Sequence, residues 1–542
     1  MKNVYIKYFF NILFFHSLLF FPVLAQNIEQ VVKAKPITVT GGINMSGTGY
    51  SQFGGNSRRD PFSYQLGANM NFSLFGIVNA PFSATLTSEN KTFNRPSYRQ
   101  IGFSPSYKWI TVHAGWRNMD FSQYTLSGTT FCGIGVELQP ETFPLRGKMV
   151  YGRFAKKTVQ GDTISSYISE PIYNRWGYGV MLSAGPLKNS VDLMIFRAED
   201  KHENNIVFAD SFPITPQENL TMGISTRQQL GKHFNLALQY AISAYTDDIR
   251  ADEKQFSSYF YLNSLKPLYT PRLSSRHTSM YDVQLNFQTD IYTVGLRYNR
   301  IDPGYQSMGT LFLNNDTEDI QINASTSFLK RKINLSGSLG VQHDNLDSKQ
   351  SSENRRITGS LNSSYQISQN LNVNVSYSNY NSTTEPTRIL ILDSIKYVQV
   401  SKNFNSGGSY NTGNDKWTNV YNLMYSRQTL NTINKSFTDI ERTGTVMNNM
   451  NIGYRINYKP LDTGASLSFN MTQNIMDTIS NYNYGPQFST NKGFLIKNCE
   501  QASLILCNVH NPTFQKAVMS IYFALQLDIH INVNTASHLI PT

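Results

Sequence analysis

Along most of this chain, apolar and polar residues take turns. Between Phe62 and Leu74 the apolar set Phe62, Tyr64, Leu66, Ala68, Met70, Phe72 and Leu74 is interleaved with Ser63, Gln65, Gly67, Asn69, Asn71 and Ser73. Successive side chains of a strand point to opposite faces, so this period of two predicts a strand with one apolar and one polar face. The run is long: strands of soluble proteins usually span about five or six residues, whereas a strand crossing a bilayer at barrel tilt needs about nine to eleven. The same alternation returns at 37–45, 234–244, 281–287, 333–341, 371–377 and 450–458. Beyond the first 25 residues no stretch approaches the roughly 20 consecutive apolar residues of a membrane helix, so a membrane would be crossed by strands.

The connections carry a second regularity, because short and long ones alternate. Tight turns fall at 230–232, 289–290, 330–331, 368–369, 413–415 and 460–462, and long polar links at 246–277, 301–317, 343–353, 381–401, 428–441 and 475–484. In the first half the long links lie near 48–61, 90–97, 117–130, 156–175 and 198–217, and the short ones near 75–79, 104–106, 140–144 and 185–187. Outer-membrane barrels have short periplasmic turns and longer extracellular loops. The alternation therefore predicts an all-β fold, a transmembrane antiparallel up-and-down β-barrel whose first strand starts at the periplasmic side. Parity also decides segment 389–400: a strand there would put the long link 428–441 on the periplasmic side, so 381–401 is assigned to one extracellular loop. The count is about 22 strands over 37–495, reaching about 22–24 if 523–533 adds another.

Composition sharpens the compartment. Lys2 and Lys7, an apolar run from Tyr8 to Phe21, and Val23-Leu24-Ala25 have the order of a secretory signal peptide, with cleavage after Ala25 and a short periplasmic segment at 26–36. Charged residues make up 15% and aromatics 13% of the chain. A soluble domain carries nearer 25% charge, and a charge-poor, Asn- and Ser-rich chain suits a wall with lipid outside and water inside. The three cysteines, Cys132, Cys499 and Cys507, form no disulfide framework. The formal charge is +11, but its basic residues are scattered, which speaks against nucleic acid as a partner. The texture changes in 496–542. Residues 523–533 alternate, yet no terminal aromatic follows, which points either to a truncated or frame-shifted end or to an unusual natural one and leaves closure of the barrel open.

With export, periodicity and parity established, residues 37–495 resemble the large, porin-like outer-membrane β-barrels of Gram-negative bacteria. The resemblance implies outer-membrane lipid and the barrel-insertion machinery as partners. TonB-dependent receptors also have about 22 strands, but their N-terminal plug domain has no room in the short segment ahead of residue 37.

Candidate chemistry is sparse. No local Ser/His/acid arrangement stands out, although distant strands could assemble one; no zinc spacing is present, and the acidic segment 314–319 lacks the EF-hand spacing and its glycine. No catalytic residue, metal site or cofactor is assigned. His113, Arg117, Arg227, Asp282, Arg297 and Arg455 fall on the polar phase and should face the lumen, where the arginines would favour anionic solutes. Leu220, Met222, Ile224, Val294, Leu296, Ile452 and Tyr454 should meet lipid. The link 246–277 holds Phe256, Tyr259, Phe260, Tyr261 and Tyr269, too apolar for an exposed loop; it either constricts the lumen, presents an aromatic surface, or packs on itself as a cap. Two functions follow: a pore or transport channel, or a non-enzymatic envelope scaffold docking a surface lipoprotein or a periplasmic partner.

Overall fold

The computed structural model describes residues 36–52, 62–87, 100–157, 173–201, 214–254, 268–386, 396–435, 440–476, 479–492, 500–504 and 520–535, apart from positions 142, 312 and 462. The signal sequence, Cys499, Cys507, and four of the loop aromatics (Phe256, Tyr259, Phe260 and Tyr261) lie outside the described residues.

One antiparallel sheet contains nearly all the strands. Its staves are β1 Ile37–Gln52, β2 Phe62–Leu74, β3 Val78–Thr87, β4 in two pieces (Gln100–Phe103 and Ser106–Tyr107), β5 Ile110–Asn118, β6 Thr130–Leu138, β7 Leu145–Ala155 and β8 Asn174–Ala184. There follow β9 Ser190–Lys201, β10 Glu218–Leu230, β11 Phe234–Thr246, β12 Ser275–Gln288, β13 Tyr292–Ile301, β14 Thr317–Phe328, β15 Ile333–Asp344 and β16 Ser352–Gln366. The rest are β17 Leu371–Pro386, β18 Lys396–Gly413, β19 Trp417–Lys435, β20 Ile440–Tyr458, β21 Thr463–Met476, β22 Ile479–Lys492, β23 Glu500–Leu504 and β24 Ser520–Thr535. Each stave pairs with the next, and β24 pairs with β1 from Ile37↔Thr535 to Gln52↔Ser520, so the sheet closes on itself. Closure, left open by the atypical end, is thus made through β24.

The two phases of each strand separate cleanly. One phase carries exposed apolar side chains around the wall: Ile134 (60% exposed), Leu193 (54%), Leu296, Leu361 and Ile452. A soluble monomer rarely leaves so large a continuous apolar surface in water. On a closed barrel it is the lipid-facing belt.

Several links differ from the sequence expectation. The short link at 104–106 is not a turn: Ser104 and Pro105 break β4, Val112 N–H donates to Pro105 O, and the turn comes two residues later at Lys108-Trp109. Residues 381–386 and 396–401, assigned to a loop, extend β17 and β18 in register from Thr384↔Tyr397. The links 428–441 and 475–484 are likewise mostly strand, with Lys435↔Ile440 and Met476↔Ile479 still paired. Their polar composition signalled loops because these strand ends stand beyond the bilayer, where both faces meet water. β19 and β20 each run 19 residues. At about 3.3 Å per residue and 40° tilt they rise roughly 48 Å, against an apolar band of about 25 Å.

Candidate functional site

Two of the long links turn into the barrel. The first, 119–129, joins β5 to β6. Tyr124 near its tip bonds residues of β12 and β13. From β5 to β12 is seven staves, about 34 Å round the wall at 4.8 Å each. Six residues from Asn118 reach at most about 22 Å. The path therefore crosses the lumen. The second link, 302–316, joins β13 to β14 and lies beside the first: Gly309 and Thr310 pair in parallel with Leu126 and Ser127.

The wall receives them through an apolar inner face. Met119, Phe121, Leu126 and Met308 pack on Phe131, Val150, Phe154, Met181, Met194 and Phe196, all inward residues of β6 to β9. Tyr124 and Tyr305 pack on Ala241, Met280 and Ile301 of β11 to β13. Inward glycines make the room. A Cβ on Gly135 would lie 2.8 Å from Met119 Cε, one on Gly179 2.7 Å from Phe121 Cε2, and one on Gly223 3.0 Å from Thr125 Cγ2. Where the two links touch, a Cβ on Gly309 would come within 2.5 Å of Thr125 O.

Polar contacts fix the register. Tyr124 O–H donates to Asp282 Oδ2 (2.9 Å) and accepts from Asn299 Nδ2 (2.7 Å) and Arg297 Nη2 (3.3 Å). Arg297 also pairs with Asp282 at 2.6 Å. Tyr305 O–H donates to Tyr124 O, Ser307 Oγ to Thr125 O, and Met308 N–H to Asn219 Oδ1. Burial pushes the Tyr124 phenol well above its ordinary range, with the Asp282 carboxylate adding to the shift. Tyr305 is raised by burial too, and then by Tyr124. Both stay protonated donors.

The six polar-phase residues all lie on the inward phase, but they do different things. Asp282 and Arg297 form the latch just described. Arg117 is occupied by Ser83 Oγ (2.8 Å) and Pro81 O (2.9 Å), and Arg227 lies 3.5 Å from Asp192. Arg455, on β20, is exposed. Those arginines were expected to act as free positive charges; Arg117, Arg227 and Arg297 are tied to the wall instead. His113 sits between Ser104 Oγ, 2.9 Å from Nδ1, and Glu137, 3.4 Å from Nε2. The trio has a hydrolase's residue types, assembled across three staves as the sequence could not show. Its geometry is structural: Ser104 is buried, its N–H is spent on Pro81 O, and Lys148 occupies the Glu137 carboxylate.

The aromatic link behaves differently from the reading in which it folds inward to constrict the lumen. Tyr269 is buried against Leu220 and Ala244, with Leu268 beside it, and its hydroxyl meets Thr246 Oγ1 at 2.7 Å. Leu220 shares its phase with Ile224, which is exposed on the outer belt. The described end of this link thus lies on the outside of the wall, and Leu220, expected to meet lipid, is covered by it.

Opposite the filled half, the lumen is lined by amides and hydroxyls. Asn334, Ser336, Asn362, Asn374 and Asn405 face inward yet are exposed. Ser338 and Ser360 bond across β15 and β16, Asn405 and Ser376 across β18 and β17.

The chain is a large transmembrane β-barrel. No family model matches it, and no curated protein matches it. Among solved structures it is similar to the FrpB iron transporter of Neisseria meningitidis (11% identity, 91% of this chain and 82% of that one, TM-score 0.42). It is also similar to OccK10 (OpdN) of Pseudomonas aeruginosa (9% identity, 64% and 93%, TM-score 0.35) and to OccAB1 of Acinetobacter baumannii (12%, 65% and 92%, TM-score 0.35).

Proposed function

We propose that the chain is an outer-membrane pore, exported by cleavage after Ala25 and placed by the barrel-insertion machinery, whose lumen is narrowed by the links 119–129 and 302–316. The observation that carries this is the division of the lumen. One side of the wall, β6 to β13, is packed with inward links, while inward amides of β15 to β18 remain open to solvent. Porins of 16 to 18 strands leave an aqueous channel and about 22 strands need a plug; a wider ring filled on one side keeps a passage without becoming an unselective hole.

Planar-bilayer recording tests it. The purified, folded barrel should conduct, and replacing 120–128 by a short turn should raise its unit conductance. A folded barrel with no conductance, or a shortened link with unchanged conductance, overturns the proposal.

The height of β18, β19 and β20 favours a second reading, in which the wall that stands above the bilayer docks a surface lipoprotein. A stoichiometric partner recovered with the full chain, but lost when 428–447 is trimmed to a tight hairpin, would support it.

A further inference from the structure

We infer that the passage is built for uncharged, polyhydroxylated solutes such as neutral saccharides, and that the inner wall of β14 to β17 near the short-turn end holds a binding recess for them. This rests on the pore reading above and names what that pore would pass.

Charge on the inward phase supports the inference first. In the filled half, most inward charges are paired: Arg297 with Asp282 at 2.6 Å, Arg175 with Asp200 at 2.8 Å, Arg276 with Asp247, Lys148 with Glu137 at 3.7 Å and Arg227 with Asp192 at 3.5 Å, while Arg117 and Arg146 are held by neutral acceptors. In the open half, the described inward side chains of β14 to β22 include only Asp319, Asp344, Arg356, Glu441 and Arg455 as charges; Asp319 and Asp344 lie toward the long-link ends of their strands, and Asp344 accepts from Asn354. Arg356 donates to Gln342 Oε1 at 3.0 Å, and Glu441 lies at the far, long-link end of β20. Ion selectivity in a pore comes from rings of one sign of charge or from aligned dipoles. Neither is present among the described residues.

The recess supports it next. A hollow of ≈ 640 Å³ lies against the inner wall, within the roughly 300–1,000 Å³ typical of small-molecule sites. Its inward lining includes Ser327, Asn334, Ser336, Asn362, Ser364 and Asn374, and its only charged members are Asp290 and Arg331, both on turns at its edge. An amide offers two donors and two lone pairs, and a serine hydroxyl donates and accepts. A sugar hydroxyl does both as well, so each can exchange water for the wall at no cost in charge desolvation. An ion would shed hydration and find no counter-charge. Ser327 Oγ donates to Asn334 Oδ1 at 2.8 Å, which orients that amide with its NH2 toward Ser364 at 3.4 Å; the wall is pre-arranged rather than a set of free rotors.

The test uses the full-length protein in planar bilayers and liposomes. With a tenfold KCl gradient, the reversal potential should give a cation-to-anion permeability ratio within about threefold of one. A neutral disaccharide should enter liposomes at least as fast as an anionic uronic-acid analogue or a cationic amino-sugar analogue of the same size. Neutral oligosaccharide should also interrupt the ion current, and the triple variant Asn334→Leu, Asn362→Leu and Asn374→Leu should weaken that block at least tenfold, measured against the variant's own unblocked current, with heat-modifiable migration showing that it is folded. A conducting pore that selects one ion sign by more than tenfold, or excludes the neutral sugar while passing a charged analogue, overturns the inference and leaves the pore intact. Block unchanged in the triple variant overturns the recess. A folded barrel with no conductance overturns the pore reading, and this inference with it.

Discussion

Tyr124→Phe removes one oxygen atom and isolates the latch from the rest of the packing. The ring still fills its place against Ala241 and Met280, so the loss is confined to the three hydrogen bonds at the hydroxyl. A hydrogen bond to a charged partner contributes about 1.5–3 kcal/mol, and a buried donor left without its acceptor costs about 1–3 kcal/mol. Asn299 is such a donor, while Asp282 keeps Arg297 and loses less. The contributions overlap, and a total of about 3 kcal/mol is expected, which at 1.4 kcal/mol per tenfold multiplies the undocked population of the inward link by roughly 100. Single-channel recording reads this directly as added open-channel noise and occupancy of a larger conductance level. If the Phe variant, shown to be folded by heat-modifiable migration, matches the parent in level, noise and melting temperature, the phenol is not a latch and the magnitudes above are misassigned.

Other outcomes follow from the same geometry. Gly179→Val drives a branched side chain into Phe121; overpacking of about 1–3 kcal/mol should loosen the link and lower the denaturant midpoint, and an unchanged midpoint would mean the inner wall is softer than drawn. Leu193→Lys places a charge on the lipid belt, where it costs about 2–4 kcal/mol near the midplane; folding yield into vesicles should fall, whereas Asn362→Lys on the lumen side should leave it unaltered. Tyr124 and Tyr305 have raised folded pKa values, so the stability they contribute is full below the ordinary tyrosine value of about 10 and is lost as pH rises past it, when only the unfolded phenols ionise. In an absorbance titration of phenolate, Tyr124 and Tyr305 should be among the tyrosines that resist ionisation until the barrel melts, and Asp282→Asn should bring Tyr124 only part of the way down, because burial is the larger cause.

Much of the fold was legible because its cause is local. Alternation such as that of Phe62–Leu74 follows from a wall with lipid on one side and water on the other, and the loop parity follows from a barrel's two unlike ends. Strand ends were misplaced where that cause stops: Asn431 to Asn434 stand above the bilayer with the polar texture of a loop, while residues 396–401 were given to a loop by parity alone, although they prolong a strand already counted and add none. The filled half of the lumen left a fainter trace. Leu193-Met194-Ile195-Phe196 and Gly179-Val180-Met181-Leu182 are apolar on both phases, as strands buried on two faces are, and Met194, Phe196 and Met181 are the inward members that pack on the links. The partner was not legible. Tyr124 finds Asp282 across 158 residues of chain, and nothing in the spacing of either announces the other. Asp282 and Arg297 were assigned to the lumen by phase alone, which fixed their direction but not that they hold each other.

The division of the wall also explains why the lumen's charges and its amides occupy different staves. A link that must stay docked inside a wet barrel needs strong, specific contacts, and paired charges beside a buried phenol supply them, because breaking such a pair by removing one partner costs about 3–5 kcal/mol in the buried limit. A surface that must release a solute needs the opposite: many weak, exchangeable contacts, each worth little more than the water it replaces. Had the latch residues been spread around the whole ring, every position would have had to serve both ends. With Asp282, Arg297 and the glycine sockets on β6 to β13, and Asn334, Asn362 and Asn374 on β15 to β17, one side of the barrel is a core and the other is left open for the passage proposed above.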